Sequence, residues 1–318
     1  MKILSLGEIL WDVFVEKEYL GGAPLNFSVV SQRLGNSVAL LTAIGADERG
    51  DRVLKSMNDL GLSSDFVQRV TQRPTGTAIV STDSELNTVF TIDRPAAFDC
   101  LTVDAEILER VARFAPDWLY FGTLVQTNPH MEAAILRLVE NLPNARRFYD
   151  VNLRAGHWTL ALVERLSAAT NVLKLNHAEA EILYELTLGK CGFSLESFCR
   201  HWASKYEIDT ICVTLGGSGC AIFAEDVLRS FEGFSVHVVD TVGAGDAFAA
   251  AFLHGLSAGW PLEKNANFAN ALGAVVASYP GATPNWNLDQ CLDLIRSRSS
   301  CRETMSPSDL AHPLRDLP

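Results

Sequence analysis

Polar and glycine residues recur directly after short apolar runs along this 318-residue chain, and the densest group is DTVGAGDAF at 240–248. Gly243 and Gly245, with Ala244 between them, free the backbone to aim several unpaired amides at one point ahead of a helix. Such a point suits an anion, most simply a phosphate. A carboxylate beside a bound phosphate is repelled by it, so Asp246 needs a task there, and taking the proton of an attacking hydroxyl is one that fits. Val236, Val238 and Val239 before the turn read as a strand, and the Ala-, Phe- and Leu-rich run after it as a helix. Similar groups stand elsewhere. Asp12 follows the first apolar run; GGAPLNF puts Gly21 and Gly22 ahead of a helix with Asn26 in its first turn; Asn152 and Arg154 follow RRFYD. Asn176 and Glu179 follow NVLKL, and LGGSG at 215–219 follows TICVT. Each alone fits a plainer role: Asp246 a capping acid, Asp12 a turn acid, Asn176 with Glu179 a capping box, Arg154 a surface ion-pair partner, LGGSG a hairpin turn. Their recurrence at successive strand ends favours one shared ligand site.

Strands must hold these groups. KILSLG, VALLTAIG, WLYFG, RRFYDVN, NVLKLN and TICVTLG are the strand candidates, alternating with helix candidates near 24–34, 48–60, 104–113, 129–142, 159–168 and 194–204. Alternation of this kind predicts an α/β fold with a mostly parallel sheet and helices on both faces. DFVQRV, TGTAIVS and TVFTID, between 65 and 93, break the pattern as extended segments with no helix between them. They predict a small antiparallel sheet that, with WDVFV at 11–15, covers a cleft as a lid over about 11–22 and 66–99. The expected division is one large domain over 1–298 and a polar, proline-bearing tail over 299–318.

Composition excludes several classes. A net charge of −12 and a pI near 5.0 argue against nucleic acid or an anionic membrane surface as partner. Asn265 to Leu288 is free of charge but carries asparagines and prolines, so no membrane span is expected. Seven cysteines without a CxxC pair fit reduced, buried thiols in a cytoplasmic protein with no zinc site. A Walker GxxxxGK[ST] is missing, and Phe248 stands where a dinucleotide fingerprint has its third glycine.

GGAPLNFSVVSQRLG and DTVGAGDAF, together with NxxE at 176–179 and TLGGSG at 214–219, resemble the signatures of the ribokinase-like, or PfkB, family of sugar and nucleoside kinases, over roughly residues 2–297. The resemblance implies a three-layer α/β/α kinase domain with a small β-sheet lid, using ATP and Mg2+. It implies Asp246 as catalytic base, Gly243, Ala244 and Gly245 as anion hole, and Arg154 beside them. Asp12, Gly22, Asn26, Arg94 and Gln126 fall on the sugar side. Asn176, Glu179, Thr214, Gly216, Gly217, Gly219, Gly245 and Asn270 fall on the nucleotide side, with Glu179 orienting Mg2+ through water. Many members bind a monovalent cation, K+, and the matching positions are Asp240, Val242, Val276, Tyr279, Gly281 and Asn285. GEILWDVF, GGAPLN, FTIDRPAAFD and YDVNLRAGHW are most similar to the bacterial fructokinase branch, which implies D-fructose as substrate. Another ketose or 2-keto-3-deoxygluconate comes second, Arg94 then meeting the carboxylate of the acid sugar; a catalytically silent binding protein of the same fold is the alternative of another class. The expected state is a homodimer through the lid or a monomer.

Overall fold

A computed structural model of the chain describes residues 1–82, 88–189 and 192–301. Its strands are β1 (Lys2–Leu6), β2 (Leu10–Val13), β3 (Glu18–Gly21), β4 (Ser37–Gly45), β5 (Val67–Val70), β6 (Gly76–Thr82), β7 (Thr88–Asp93), β8 (Trp118–Gly122), β9 (Arg146–Asp150), β10 (Val172–Asn176), β11 (Thr210–Thr214), β12 (Gly219–Ala224) and β13 (Val227–Glu232). Its helices are α1 (Ala23–Arg33), α2 (Glu48–Asp59), α3 (Ala105–Phe114), α4 (Pro129–Asn141), α5 (Leu160–Ala168), α6 (His177–Leu188), α7 (Leu195–Tyr206), α8 (Ala244–Ser257), α9 (Leu262–Ala277) and α10 (Leu288–Cys301). Most of the stretch read as a polar tail, 302–318, lies outside the described residues, as do 83–87 within the expected lid.

One sheet runs in the order β13-β12-β11-β10-β9-β8-β1-β4-β5, parallel from β5 to β11 with β12 and β13 antiparallel at one edge. Its central strands are apolar on both faces because helices cover both. Leu4, Leu6, Leu119, Phe121, Leu173 and Leu175 face one layer, where Met131, Leu166, Leu183 and Trp202 are buried. Ile3, Tyr120, Phe148 and Val172 face the other, packed by Phe27 of α1 and the Ala- and Phe-rich α8 and α9. The strand order reverses at β1, flanked by β4 and β8, and that reversal opens a crevice at the carboxyl ends.

The second sheet, β3-β2-β6-β7, stands apart. Two details differ from the sequence expectation. Val67–Val70 joins the main sheet, parallel to β4, instead of the small one, and the small sheet is mixed, since β2 pairs with β6 in parallel. Strand propensity marks both segments as extended, but pairing partners are chosen by long-range packing that a local reading does not contain. A third difference concerns the valines at 236, 238 and 239, which lie in an irregular segment and not in a strand.

Candidate active site

The crevice at the sheet reversal collects the polar groups in two neighbouring halves. On one side, α1 begins at Gly22, whose φ of 114° and approach to the Glu8 carbonyl leave no room for a Cβ. Pro24 is pre-set for the first turn of the helix, and Asn26 follows in that turn. Asn26 Nδ2 donates to Asp246 Oδ2 at 2.8 Å, joining residues 220 apart in sequence. Asp12, on β2, lies against Gly21, where an added Cβ would fall 2.3 Å from its Oδ2. Arg154 faces Asp12, Glu8 and Asp246 as their common cation.

Asp246 belongs to the first turn of α8, entered through Gly243 in the left-handed region at φ 80°. The Ala244 amide bonds the Thr241 carbonyl and the Ala247 amide bonds that of Gly243. Among the described residues the amides of Gly245 and Asp246 have no acceptor, so the turn presents free donors where the helix dipole also favours an anion. Burial, then the neighbouring Asp150, push the Asp246 carboxyl up to about 6; Lys174, the Asn26 amide and Arg154 pull against them.

Beyond this turn lies a cleft of about 810 Å³ lined by Asn176, Thr214, Gly217, Val236, Ala244 and Asn270, with Gly216, Gly219 and Gly245 also on its wall. It is large enough for a nucleotide, and an added Cβ at Gly216 or Gly217 would meet nothing within 4 Å. Asn270 donates to the carbonyls of Phe231 and Glu232, which ties α9 to β13 along one wall. LGGSG is both things the sequence left open, a hairpin turn between β11 and β12 and part of this wall. Asn176 and Glu179 do form a reciprocal capping box at α6, and Glu179 Oε1 also accepts the Leu153 amide at 2.7 Å. With both carboxylate oxygens taken by amides, Glu179 suits an ion held through water better than a direct ligand. Among the described residues no cluster of acids, histidines or cysteines could hold a metal by itself.

The remaining sequence candidates are placed as follows. Asp240 accepts from the amides of Val242 and Gly281, 3.0 Å each, and so joins the turn to the segment after α9. The Tyr279 amide bonds the Val276 carbonyl, and Asn285 is exposed. Arg94 is paired with Asp99 through both nitrogens of its fork, and it donates to the Leu124 carbonyl at 2.9 Å and to Thr127 Oγ1. Gln126, 1% exposed, has neither amide atom hydrogen-bonded.

Glu8, Asp150 and Lys174 are not among the residues singled out from sequence. Their signal was a charge inside an apolar strand run, as in VLKL, or directly after one. Burial pushes Glu8 up to about 7, partly offset by amide bonds from Ala23 and its own backbone. The folded state therefore keeps a proton that the unfolded chain has released, so stability is complete below about pH 4.5 and is lost as pH rises through 7, by roughly 3 kcal/mol for this group. Glu8→Gln has no proton to lose. It is expected to match the parent near pH 4.5 and to exceed it at pH 8 in chemical denaturation; a gap of the same size at both pH values would refute the assignment.

A family model described as pfkB family carbohydrate kinase matches residues 7–288. The chain belongs to the PfkB family of carbohydrate kinases. This member is 27% identical over 300 residues to a fructokinase of Salmonella typhimurium, covering 88% of this chain and 94% of that one. Its fold matches a fructokinase of Xylella fastidiosa solved with bound ATP, TM-score 0.82 at 21% identity, covering 94% and 99% of the two chains. It also matches an Escherichia coli protein solved with ATP and Mg2+, TM-score 0.79 at 20% identity, covering 93% and 99%. The ribokinase-like α/β architecture expected from sequence is thus the fold of this PfkB kinase. Among the described residues no helix is long and apolar enough to cross a membrane.

Proposed function

We propose that this PfkB kinase transfers the γ-phosphoryl group of ATP to the primary C6 hydroxyl of D-fructose. The observation that carries this reading is the Asp246 carboxylate, held by Asn26 between the polar side chains of Asp12 and Arg154 and a turn of free amides at the mouth of the larger cleft. Asp12, Asn26 and the orphaned amide of Gln126 offer directed hydrogen bonds to sugar hydroxyls, and a polyol would relieve the unpaired polar atoms. Asp246 takes the hydroxyl proton as the sugar oxygen bonds to phosphorus and the ADP oxygen leaves. The Gly245 and Asp246 amides and Arg154 balance charge on the equatorial oxygens. Mg2+, when bound, would neutralise the phosphates, its water held by Glu179. K+ is proposed at the corner where Asp240, Val242 and Gly281 meet, tested by activity in potassium against tetramethylammonium salts.

Fructose is favoured over 2-keto-3-deoxygluconate because the Arg94 guanidinium is committed to Asp99 and two further oxygens and would have to leave them to meet a sugar carboxylate. ADP release over a panel of sugars with ATP and Mg2+ tests this. Fructose should give the highest kcat/KM; a higher value for the acid sugar, lost in Arg94→Ala, would replace it, and no stimulation by any sugar would point to the silent binding protein. Cytoplasmic location goes with this reading.

The small sheet and the strands around Asp12 are proposed to close over the sugar, so that water is excluded from the phosphates. Saturating fructose should then slow amide exchange in 10–21 and 76–82, and unchanged exchange there would remove closure. A homodimer contact through this sheet is proposed at the face bearing Ile79, 55% exposed, and sedimentation showing only monomer would exclude it.

A further inference from the structure

Lys174 and Asp150 are deeply buried charges to which the reaction above assigns no step. Lys174 is 7% and Asp150 1% exposed, and the lysine Nζ lies 3.0 Å from both carboxylate oxygens. Tyr120 donates its hydroxyl to Asp150 Oδ2 at 3.2 Å, so the group spans the adjacent strands β8, β9 and β10. Packing does not require it. Val172, Phe148 and Cys212 on the same face are wholly buried apolar residues, and an apolar pair in place of a buried ion pair is often as stable or more so.

Its position is more informative than its stability. A Cβ on Gly245 would lie 3.4 Å from Lys174 Nζ, which puts the ammonium directly behind the turn of free amides. The lysine also acts on Asp246 through space. We propose that Lys174 is a positioning residue for phosphoryl transfer, held by Asp150 so that its charge keeps Asp246 an anion ready to accept the sugar proton. This rests on the reading of Asp246 as the base.

The groups facing Asp246 come from several elements: Asn26 of α1, Asp150 of β9, Lys174 of β10, Arg154 beyond β9, Glu8 beyond β1, Tyr120 of β8 and Asp12 of β2. Within that set the two partners of the buried pair have opposite sign. Asp150 opposes ionisation of Asp246 and Lys174 favours it. Loss of the lysine alone therefore leaves two carboxylates repelling each other, whereas loss of both removes a push and a pull together.

The test is the pH profile of kcat/KM for fructose with saturating ATP and Mg2+ in Lys174→Met, Asp150→Asn and the double variant, each checked for folding by thermal melting. Lys174→Met should move the acid limb up by about one pH unit or more, with activity recovering toward the parent at high pH. Asp150→Asn should move it down, and the double variant should lie between the two. A uniform loss in Lys174→Met with the limb unmoved would overturn the proposal, because a purely structural lysine does not shift a titration. If Lys174→Met does not fold, an Asp150→Asn limb at or above the parent's overturns it instead. Failure of the underlying reading is distinguishable, since it would appear as near-normal turnover in Asp246→Asn whatever the lysine variants do.

Discussion

Asp246→Asn is expected to lower kcat by about 10²- to 10⁴-fold while fructose and ATP still bind. The amide keeps the size of the side chain and an oxygen for Asn26 Nδ2, now 2.8 Å from the carboxylate, but it cannot take a proton. Because the parent carboxyl sits at about 6, its activity should rise with pH through that value and then level, as the ionised base becomes fully populated. The Asn variant should lack that limb. Single-turnover rates separate chemistry from binding, and a folded variant with near-parental turnover would end the assignment.

Gly243→Ala is expected to have an effect of similar size by a different route. The residue sits at φ 80°, and its added Cβ would fall 2.3 Å from the Ala282 carbonyl oxygen, 2.7 Å from its Cα and 2.8 Å from its carbonyl carbon. Backbone cannot rotate away as a side chain can. The turn must then shift, and displaced amides no longer point at the phosphoryl group, a loss worth about 10²- to 10³-fold for one such donor. Gly259→Ala serves as the control: it also sits at positive φ, 67°, but beyond the far end of α8 and with nothing within 4 Å of its Cβ, and it should retain activity. A Gly243→Ala enzyme with parental kcat/KM would show that the turn's geometry is not needed.

The alternation of apolar runs and amphipathic stretches made six strands of the main sheet and six helices legible, because each of those helices is long enough to carry its period and each of those strands is largely buried. Asp246, Asn26, Asp12 and Arg154 were legible as strand-end polar residues, and the fold brings them together. What could not be read locally was pairing. Val67–Val70 is equally extended beside β4 or in the small sheet, and only the packed structure chooses. FSVHVV has strand propensity without a strand to pair with; Val238 and Val239 are about half exposed, and the Val239 amide bonds the Ala277 carbonyl at the end of α9. Lys174 was hidden for the opposite reason. Inside VLKL it looks like an interruption of a strand, and its meaning depends on Asp150, 24 residues away, and on Gly245, 71 residues away, which only the fold makes neighbours.

The two halves of the crevice are built from different materials, and that difference bears on how such a protein changes over generations. Glycine and alanine make up much of the wall of the proposed nucleotide half, at Gly216, Gly217, Gly219, Ala244, Gly245 and Ala274, so its shape depends in good part on the course of the backbone. The proposed sugar half instead presents side chains, Asp12, Asn26 and Arg154. Point substitutions can therefore redraw the sugar half while the phosphate donor's seat stays as it was. Drift in acceptor with constancy of donor is the variation this construction permits most readily.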